Sequence, residues 1–326
     1  MRGVLSNFCT LAMVVAPAMA QTAGPLKPGG YIELPAHTKP GGFNHGDVHP
    51  ATGRVFVAHT ANDALDIIDG AADRYLRSIP NLKGVAGALV ADDGSLVFTS
   101  NRGESSISIF PFGDEGALAK VPVGPSPNGL AFDPKRKLLL VGQAGSPVTV
   151  AVVDVVKRAV VATVEVPGRT RWTVFDPSQE MFFINIADPP MIVGIRSGAP
   201  NAIARTYKIP EAGPHGLALD AKTRRLFCAC DAKKLVALSA DTGEVQATLD
   251  MSGVPDVLFL NRARRHLYAA MGNPGVMDIF DVDALKLKQT VATERGANTL
   301  AFDESRNKVY SFLPQSHRAA VFFDRD

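Results

Sequence analysis

Residues 127–134 read Pro-Asn-Gly-Leu-Ala-Phe-Asp-Pro, and this is the clearest copy of a segment that recurs seven times along the chain. Aligned on their hydrophobic pattern, the copies place the first strand of each repeat just after Asn44, Ala86, Asn128, Arg171, His215, Asp256 and Asn298. The steps between them are 42, 42, 43, 44, 41 and 42 residues. A period of about 40 to 45 residues that carries several short strand patterns is typical of propeller blades. The sequence therefore predicts an all-β fold, a seven-bladed β-propeller.

Each repeat has room for four antiparallel strands. In the third repeat the first strand ends at the turn Asp133-Pro134, and further strand patterns follow at residues 137–141, 148–154 and 160–166. The last copy stops after residues 318–323, before a fourth strand can form. Residues 31–34 have strand character and precede the first repeat, so we expect this N-terminal strand to complete blade seven and close the ring.

The first twenty residues predict a secretory signal peptide. They combine Arg2, an apolar run over residues 8–15 and a small-residue end at residues 18–20. We therefore expect a periplasmic or secreted protein that begins near Gln21, with residues 21–326 forming one propeller domain. No segment reaches the roughly 18 apolar residues that a membrane span needs.

Charge and cysteine content narrow the range of partners. The formal net charge of +2 falls to 2 − 1 = +1 without Arg2, and both signs are scattered along the chain. This distribution argues against a nucleic-acid partner, favours a monomer and leaves a protein partner open. Cys228 and Cys230 lie two residues apart on a predicted strand, so we expect no stabilising disulfide between them.

The repeat resembles a known family. The octapeptide at residues 127–134, a Val-rich third strand that ends at Asp154 and the sequence Val-Val-Ala-Thr at residues 160–163 are similar to the YVTN-repeat family, in particular its exported YncE-like seven-bladed propellers. Residues 98–101, Phe-Thr-Ser-Asn, match the family tetrad loosely. The resemblance covers nearly the whole predicted mature chain. It implies the propeller fold and a binding role in the periplasm, and it implies no common reaction.

Two rings of residues are expected to surround one opening of the central channel. The first ring is the seven strand starts given above, of which only Ala86 has no functional group. The second strands run antiparallel to the first, so their ends should reach the same face. This second ring comprises His59, Asn101, Gln143, Asn185, Cys230, Met271 and Leu313. Solvated channel walls and ordinary turn residues would give the same pattern.

The residues at this opening of the channel favour an anionic or aromatic small molecule as the ligand. Arg171 offers a planar guanidinium that can grip a carboxylate or phosphate in bidentate fashion. Trp172, the only tryptophan, follows it directly. The candidate ligand-binding residues are Arg171, Trp172, Arg102, His215, Asn128, Asn185, Asn298, His59 and Asn101. The function we expect from them is binding, with an accessory role.

Metal-dependent chemistry at the same opening of the channel is an alternative. Calcium accepts amide and carboxylate oxygens, which Asn44, Asn128, Asp256 and Asn298 could supply. Gluconolactonase-like and paraoxonase-like propellers are similar in using such a set, and a hydrolase or lyase would follow. His215, Cys230 and Met271 form a softer set that suits copper.

Common catalytic motifs are absent from the sequence. It contains no Gly-x-Ser-x-Gly elbow, phosphate-binding loop, Gly-x-Gly-x-x-Gly or haem-attachment motif. His215 and Asp256 stay open as an acid–base pair, because neighbouring blades place their strand starts close together. A third class of function, a scaffold for another exported protein, would use the blade faces instead of the mouth.

Overall fold

The computed structural model describes residues 24–325. The predicted signal peptide, residues 1–20, lies outside the described residues. Within them the chain forms 28 strands arranged as seven four-stranded antiparallel sheets. The predicted seven-bladed propeller is therefore confirmed.

Strands are numbered in chain order and grouped by blade. Blades 1 to 3 comprise β2 (Phe43–Val48), β3 (Arg54–His59), β4 (Ala64–Asp69) and β5 (Arg74–Ile79); β6 (Val85–Val90), β7 (Leu96–Asn101), β8 (Ser106–Pro111) and β9 (Ala119–Pro122); and β10 (Pro127–Asp133), β11 (Leu138–Gln143), β12 (Thr149–Asp154) and β13 (Ala159–Glu165). Blades 4 to 6 comprise β14 (Thr170–Asp176), β15 (Met181–Ile186), β16 (Met191–Arg196) and β17 (Arg205–Lys208); β18 (Pro214–Asp220), β19 (Arg225–Cys230), β20 (Lys234–Ser239) and β21 (Val245–Asp250); and β22 (Leu258–Asn261), β23 (His266–Met271), β24 (Val276–Asp281) and β25 (Lys286–Ala292). Blade 7 contains β26 (Thr299–Asp303), β27 (Lys308–Leu313), β28 (Arg318–Asp324) and the N-terminal β1 (Leu26–Glu33). Three short 3-10 turns lie at Thr60–Asn62, Arg102–Glu104 and Glu115–Ala117.

The N-terminal strand closes the ring as the sequence predicts. β1 pairs antiparallel with β28, with Tyr31 opposite Ala320 and Ile32 opposite Ala319. The strand is longer than expected and has a register shift between Pro28 and Gly30. Because β1 supplies the outer strand of blade 7, the outer edge of β28 is paired.

The hydrophobic core is divided among the junctions between blades. Seven clusters of buried apolar side chains each combine residues from two neighbouring blades. At the junction of blades 1 and 2, for example, Phe56 packs with Val97 and Phe110. These clusters hold the seven innermost strands around the channel, so that strand starts from different blades meet at one end of it. We call that end the mouth. No helix in residues 24–325 is long and apolar enough to cross a membrane.

Candidate functional site

The mouth brings together the predicted residues of blades 4, 5 and 6. His215 Nδ1 donates to Asp231 Oδ1 at 2.8 Å, and its Nε2 lies 3.1 Å from Asp256 Oδ1. Arg171 Nη1 lies 3.2 Å from His215 Nε2, and Arg171 Nη2 lies 3.6 Å from Asp231 Oδ2. The strand starts of neighbouring blades therefore form one continuous polar cluster.

Two carboxylates keep His215 protonated. Burial alone lowers the pKa of His215, but the negative charge of Asp256 and the hydrogen bonds to Asp231 and Asp256 outweigh it and raise the pKa to about 9. Burial raises the pKa of both carboxyls, yet the net shift is downward for each because His215 and Arg171 stabilise the ionised forms. At neutral pH the imidazolium can donate a proton and is not a base, in contrast to the sequence-based option of a general base.

Arg102 and Asn298 extend the cluster to blades 2 and 7. Arg102 donates through Nη2 to Asn128 Oδ1, and Asn298 Nδ2 donates to Asp256 Oδ2 at 2.8 Å. Burial lowers the pKa of Arg102; Asp256 opposes this effect, while Arg169 and Arg171 add to it. Arg102 is therefore a half-buried cation whose pKa is affected by both neighbouring guanidinium groups.

The cluster has more positive than negative charge. Arg102, Arg171 and protonated His215 give three positive charges, and Asp231 and Asp256 give two negative charges, so the sum is 3 − 2 = +1, to which the exposed Arg169 adds a further positive charge nearby. In residues 24–325 the buried Nε of Arg171 also has no hydrogen-bond partner. An anion at the mouth would offset the charge surplus and could accept the free N–H of Arg171.

Trp172 and His45 close the channel below this cluster. The centroids of the two aromatic rings lie 4.2 Å apart, although the residues belong to blades 4 and 1 on opposite sides of the propeller. Trp172 also meets Phe259 of blade 6, with centroids 6.5 Å apart. We call these three side chains the partition. Burial lowers the pKa of His45 to about 3, so the partition is uncharged at neutral pH.

Glycine occupies the position of Trp172 in three other blades for a steric reason. A Cβ on Gly129 would lie 2.6 Å from the carbonyl oxygen of Arg171, and one on Gly216 would lie 2.6 Å from that of Asp256. The first strands of adjacent blades therefore approach too closely there for a side chain. At Trp172 the side chain instead reaches across the channel to His45.

The second ring does not line the mouth as expected. Asn101, Asn185 and His59 are fully buried. Asn101 donates to Ser106 and Ser108, and Asn185 donates to the carbonyl oxygens of His215 and Gly216. His59 bonds to Asp66 at 2.7 Å and to His37 at 2.7 Å. These three side chains satisfy internal partners, so they support the mouth from within and are not available to a ligand.

The residues of the calcium hypothesis are brought together only in part. Asp256 and Asn298 are in contact, but Asn128 accepts from Arg102, and the Asn44 side chain accepts from the backbone of His45. Within residues 24–325, no group of three or more His, Cys, Asp or Glu residues is placed to hold a metal ion. Because Asn128 accepts from Arg102 and Asp256 pairs with His215, this donor set does not fit a hard cation.

The residues of the copper hypothesis lie in separate environments. Cys230 packs in the core cluster between blades 4 and 5, whereas Met271 packs in the cluster between blades 5 and 6. Both side chains are fully buried, and His215 bonds to two carboxylates. Cys228 and Cys230 are free thiols whose sulfur atoms lie 3.9 Å apart. The three proposed copper ligands therefore do not share a site.

Two residues at the channel escaped the sequence analysis. Asp231 follows the second-ring residue Cys230 directly and reaches His215 from the loop after β19. His45 follows Asn44 at the position where three other repeats have glycine. This departure from the repeat could have identified His45 as a channel residue, whereas no pattern in the sequence distinguishes Asp231.

Comparisons with known proteins agree on the fold. The profile of a family described as "Lactonase, 7-bladed beta-propeller" matches residues 51–169, which is 119 of the 326 residues. No curated protein matches the chain. The matched part includes Arg102 and Asn128 and ends before Arg171, His215 and Asp256.

Two solved structures are similar over almost their full length. One is hydrazine synthase of Kuenenia stuttgartiensis, with a TM-score of 0.77, 13% identity, and coverage of 94% of this chain and 98% of that chain. The other is titled "Crystal Structure of Mitotic Checkpoint Complex", with a TM-score of 0.78, 12% identity, and coverage of 98% and 100%. At these identities the likeness shows the fold alone.

Proposed function

We propose that the mouth binds a small organic anion, with a carboxylate or phosphate group as the recognised part. The observation that carries this proposal is the surplus of positive charge, 3 − 2 = +1, in the cluster around His215. Half-buried cations without a full set of counter-charges are less favourable than paired ones, and an anionic ligand would supply the missing charge. The predicted signal peptide favours a binding role outside the cytoplasm.

Each residue of the cluster has a separate part in this proposal. Arg171 and Arg102 hold the anion through guanidinium N–H groups. Both ring nitrogens of His215 are engaged by Asp231 and Asp256, so His215 contributes charge and positions its neighbours. Asn128 orients Arg102, and the partition forms the floor.

Hydrolysis of a lactone is a second candidate function, favoured by the family match over residues 51–169. Opening a lactone ring with water gives a hydroxy acid, and its carboxylate would fit the same positive mouth. Protonated His215 could donate its proton to the leaving alkoxide while Asp256 holds the imidazolium in place, and the proton lost by the attacking water would then return to His215. This candidate adds a reaction to the anion site and uses the same residues.

Gluconate, glucose and glucono-δ-lactone separate these functions. We expect gluconate to bind in calorimetry, glucose to bind at least about tenfold more weakly because it lacks the carboxylate, and EDTA to leave gluconate binding unchanged. Arg171→Ala should abolish the preference for gluconate. A lactonase that uses His215 as its acid would instead turn over the lactone, lose activity in Asp256→Ala and keep it with EDTA, whereas a metal-dependent hydrolase would lose activity with EDTA as well. Equal binding of gluconate and glucose would contradict the proposed anion site.

A further inference from the structure

A cavity lies on the side of the partition that faces away from the mouth. It has a volume of about 940 Å³ and is enclosed by the first strands of the blades, from the partition down to the face opposite the mouth. Exposed turn residues, among them Pro50, Asp92 and Pro177, form its rim. This volume lies in the range of small-molecule sites. The polar cluster of the mouth does not contribute to its lining.

The wall of this lower cavity is apolar and rich in aromatic rings. Trp172, Phe132, Phe175, Phe259 and Phe302 all line it. The remaining wall is mostly aliphatic, from side chains such as Leu89, Val174 and Leu219. Aromatic faces attract organic cations, and the attraction grows when water is excluded.

Asp47 is one of four acidic residues that line the cavity; the others are Asp92, Asp303, which pairs with Arg306, and Glu304, which pairs with the lining residue Arg262. Asp47 Oδ1 accepts from the backbone N–H of Val48 at 2.8 Å, and Oδ2 accepts from the backbone N–H of Val90 at 2.8 Å. Across residues 24–325, no Lys, Arg or His forms an ion pair with Asp47. Burial raises the pKa of Asp47 to about 7, and the negative charge of Asp92 adds to this effect. Asp47 is thus a half-buried carboxyl group that two backbone N–H groups hold in place without a cation.

We propose that the lower cavity binds a small organic ammonium ion with an apolar body. The ammonium group would pair with Asp47, whose oxygens each keep a lone pair free after accepting one backbone N–H. The apolar body would pack against the phenylalanine rings and Trp172. Asp92 at the rim adds negative charge on the route of approach. The protein would then hold an anion at the mouth and a cation below the partition, at two separate sites.

Trp172 reports on the occupant because it is the only tryptophan of the chain and lines the cavity. The probes are benzylammonium and its neutral counterpart benzyl alcohol, followed by tryptophan fluorescence with the full protein. We expect saturable binding of both, with benzylammonium at least about tenfold tighter. Asp47→Asn should remove this preference and keep benzyl alcohol binding, which also shows that the variant is folded. Asp92→Asn, a matched loss of charge at the rim, should retain most of the preference.

Several outcomes would overturn the proposal. Equal affinity of the two probes for the unaltered protein would show that the cavity binds the apolar body and does not recognise the ammonium group. The absence of saturable binding of either probe would show that the cavity takes no ligand of this class. A preference that survives in Asp47→Asn would place the ammonium elsewhere. If Asp47→Asn fails to fold, the comparison of the two probes on the unaltered protein and on Asp92→Asn still decides the question.

Discussion

Deleting residues 30–35 is expected to lower the melting temperature by at least about 10 °C. The deletion removes half of β1, including Ile32, together with Leu34 just after the strand; these side chains are 2% and 8% exposed. Burial of such side chains contributes about 1.5–3 kcal/mol each, and one kcal/mol corresponds to about 2–4 °C in a large domain. The outer edge of β28 would also lose its ladder partner. Differential scanning calorimetry of the two proteins measures the difference.

Two point variants on β1 serve as a matched pair for the deletion. Ile32→Ala should cost about 2–4 kcal/mol, because it leaves a cavity in the cluster between blades 7 and 1. Tyr31→Ala should cost less than about 1 kcal/mol, since Tyr31 is 64% exposed and its main contact is with Arg318. Equal effects of the two variants, or an unchanged melting temperature after the deletion, would show that β1 does not close the ring.

Replacing both Arg102 and Arg171 by alanine is expected to weaken gluconate binding by at least about 100-fold. A hydrogen bond to a charged group contributes about 1.5–3 kcal/mol, and 1.4 kcal/mol corresponds to a factor of ten in affinity. Each single variant should therefore lose about tenfold or more. Arg171→Lys keeps the charge but loses the planar fork, so we expect an intermediate loss. Titration calorimetry at low salt measures all four affinities.

Arg74→Ala is the control for the arginine variants. Arg74 lies on the outer strand β5 and is exposed, with Asp69 as its ion-pair partner at 3.6 Å. This variant loses the same formal charge at a place remote from the mouth, and gluconate affinity should stay within about twofold. A comparable loss in Arg74→Ala would mean that gluconate responds only to the overall charge of the protein. Unchanged affinity in the double variant would remove the mouth as the binding site.

The repeat made the fold predictable, because each blade restates the same strand pattern and every copy adds support to the register. The strand starts Arg171, His215 and Asp256 could be expected to meet for the same reason, since consecutive blades are neighbours in space. The sequence also pointed to blade closure by the N-terminal strand. All of these inferences depend on the spacing of the repeats, which can be read directly from the sequence.

The repeat pattern does not predict the direction in which each side chain points. Asn101 and Asn185 end their strands near the mouth, yet both turn inward to bond neighbouring groups. Asp231 reaches His215 from a loop whose path depends on the surrounding turns. Trp172 crosses the channel because its glycine equivalents leave the axis open, a relation between blades that no single repeat contains. Sequence therefore located the opening, and tertiary contacts decided which residues face it.

The charge of His215 also determines how the site responds to pH. Its pKa in the folded protein, about 9, lies above the reference value of 6.5. The stabilisation from its two carboxylate partners is therefore fully present below pH 6.5 and is lost as the pH rises through about 9. Anion binding at the mouth should weaken over the same upper range, because the imidazolium then loses its positive charge.

The most direct test is an NMR titration of the ring nitrogens of His215, with His215→Asn used to assign its signals among the seven histidines. We predict a pKa near 9, with His215 fully charged at pH 7, as a positive mouth between Asp231 and Asp256 requires. A pKa at or below 6.5 would contradict the account, because His215 would then be neutral at pH 7 and the mouth would lose the charge surplus that favours an anion.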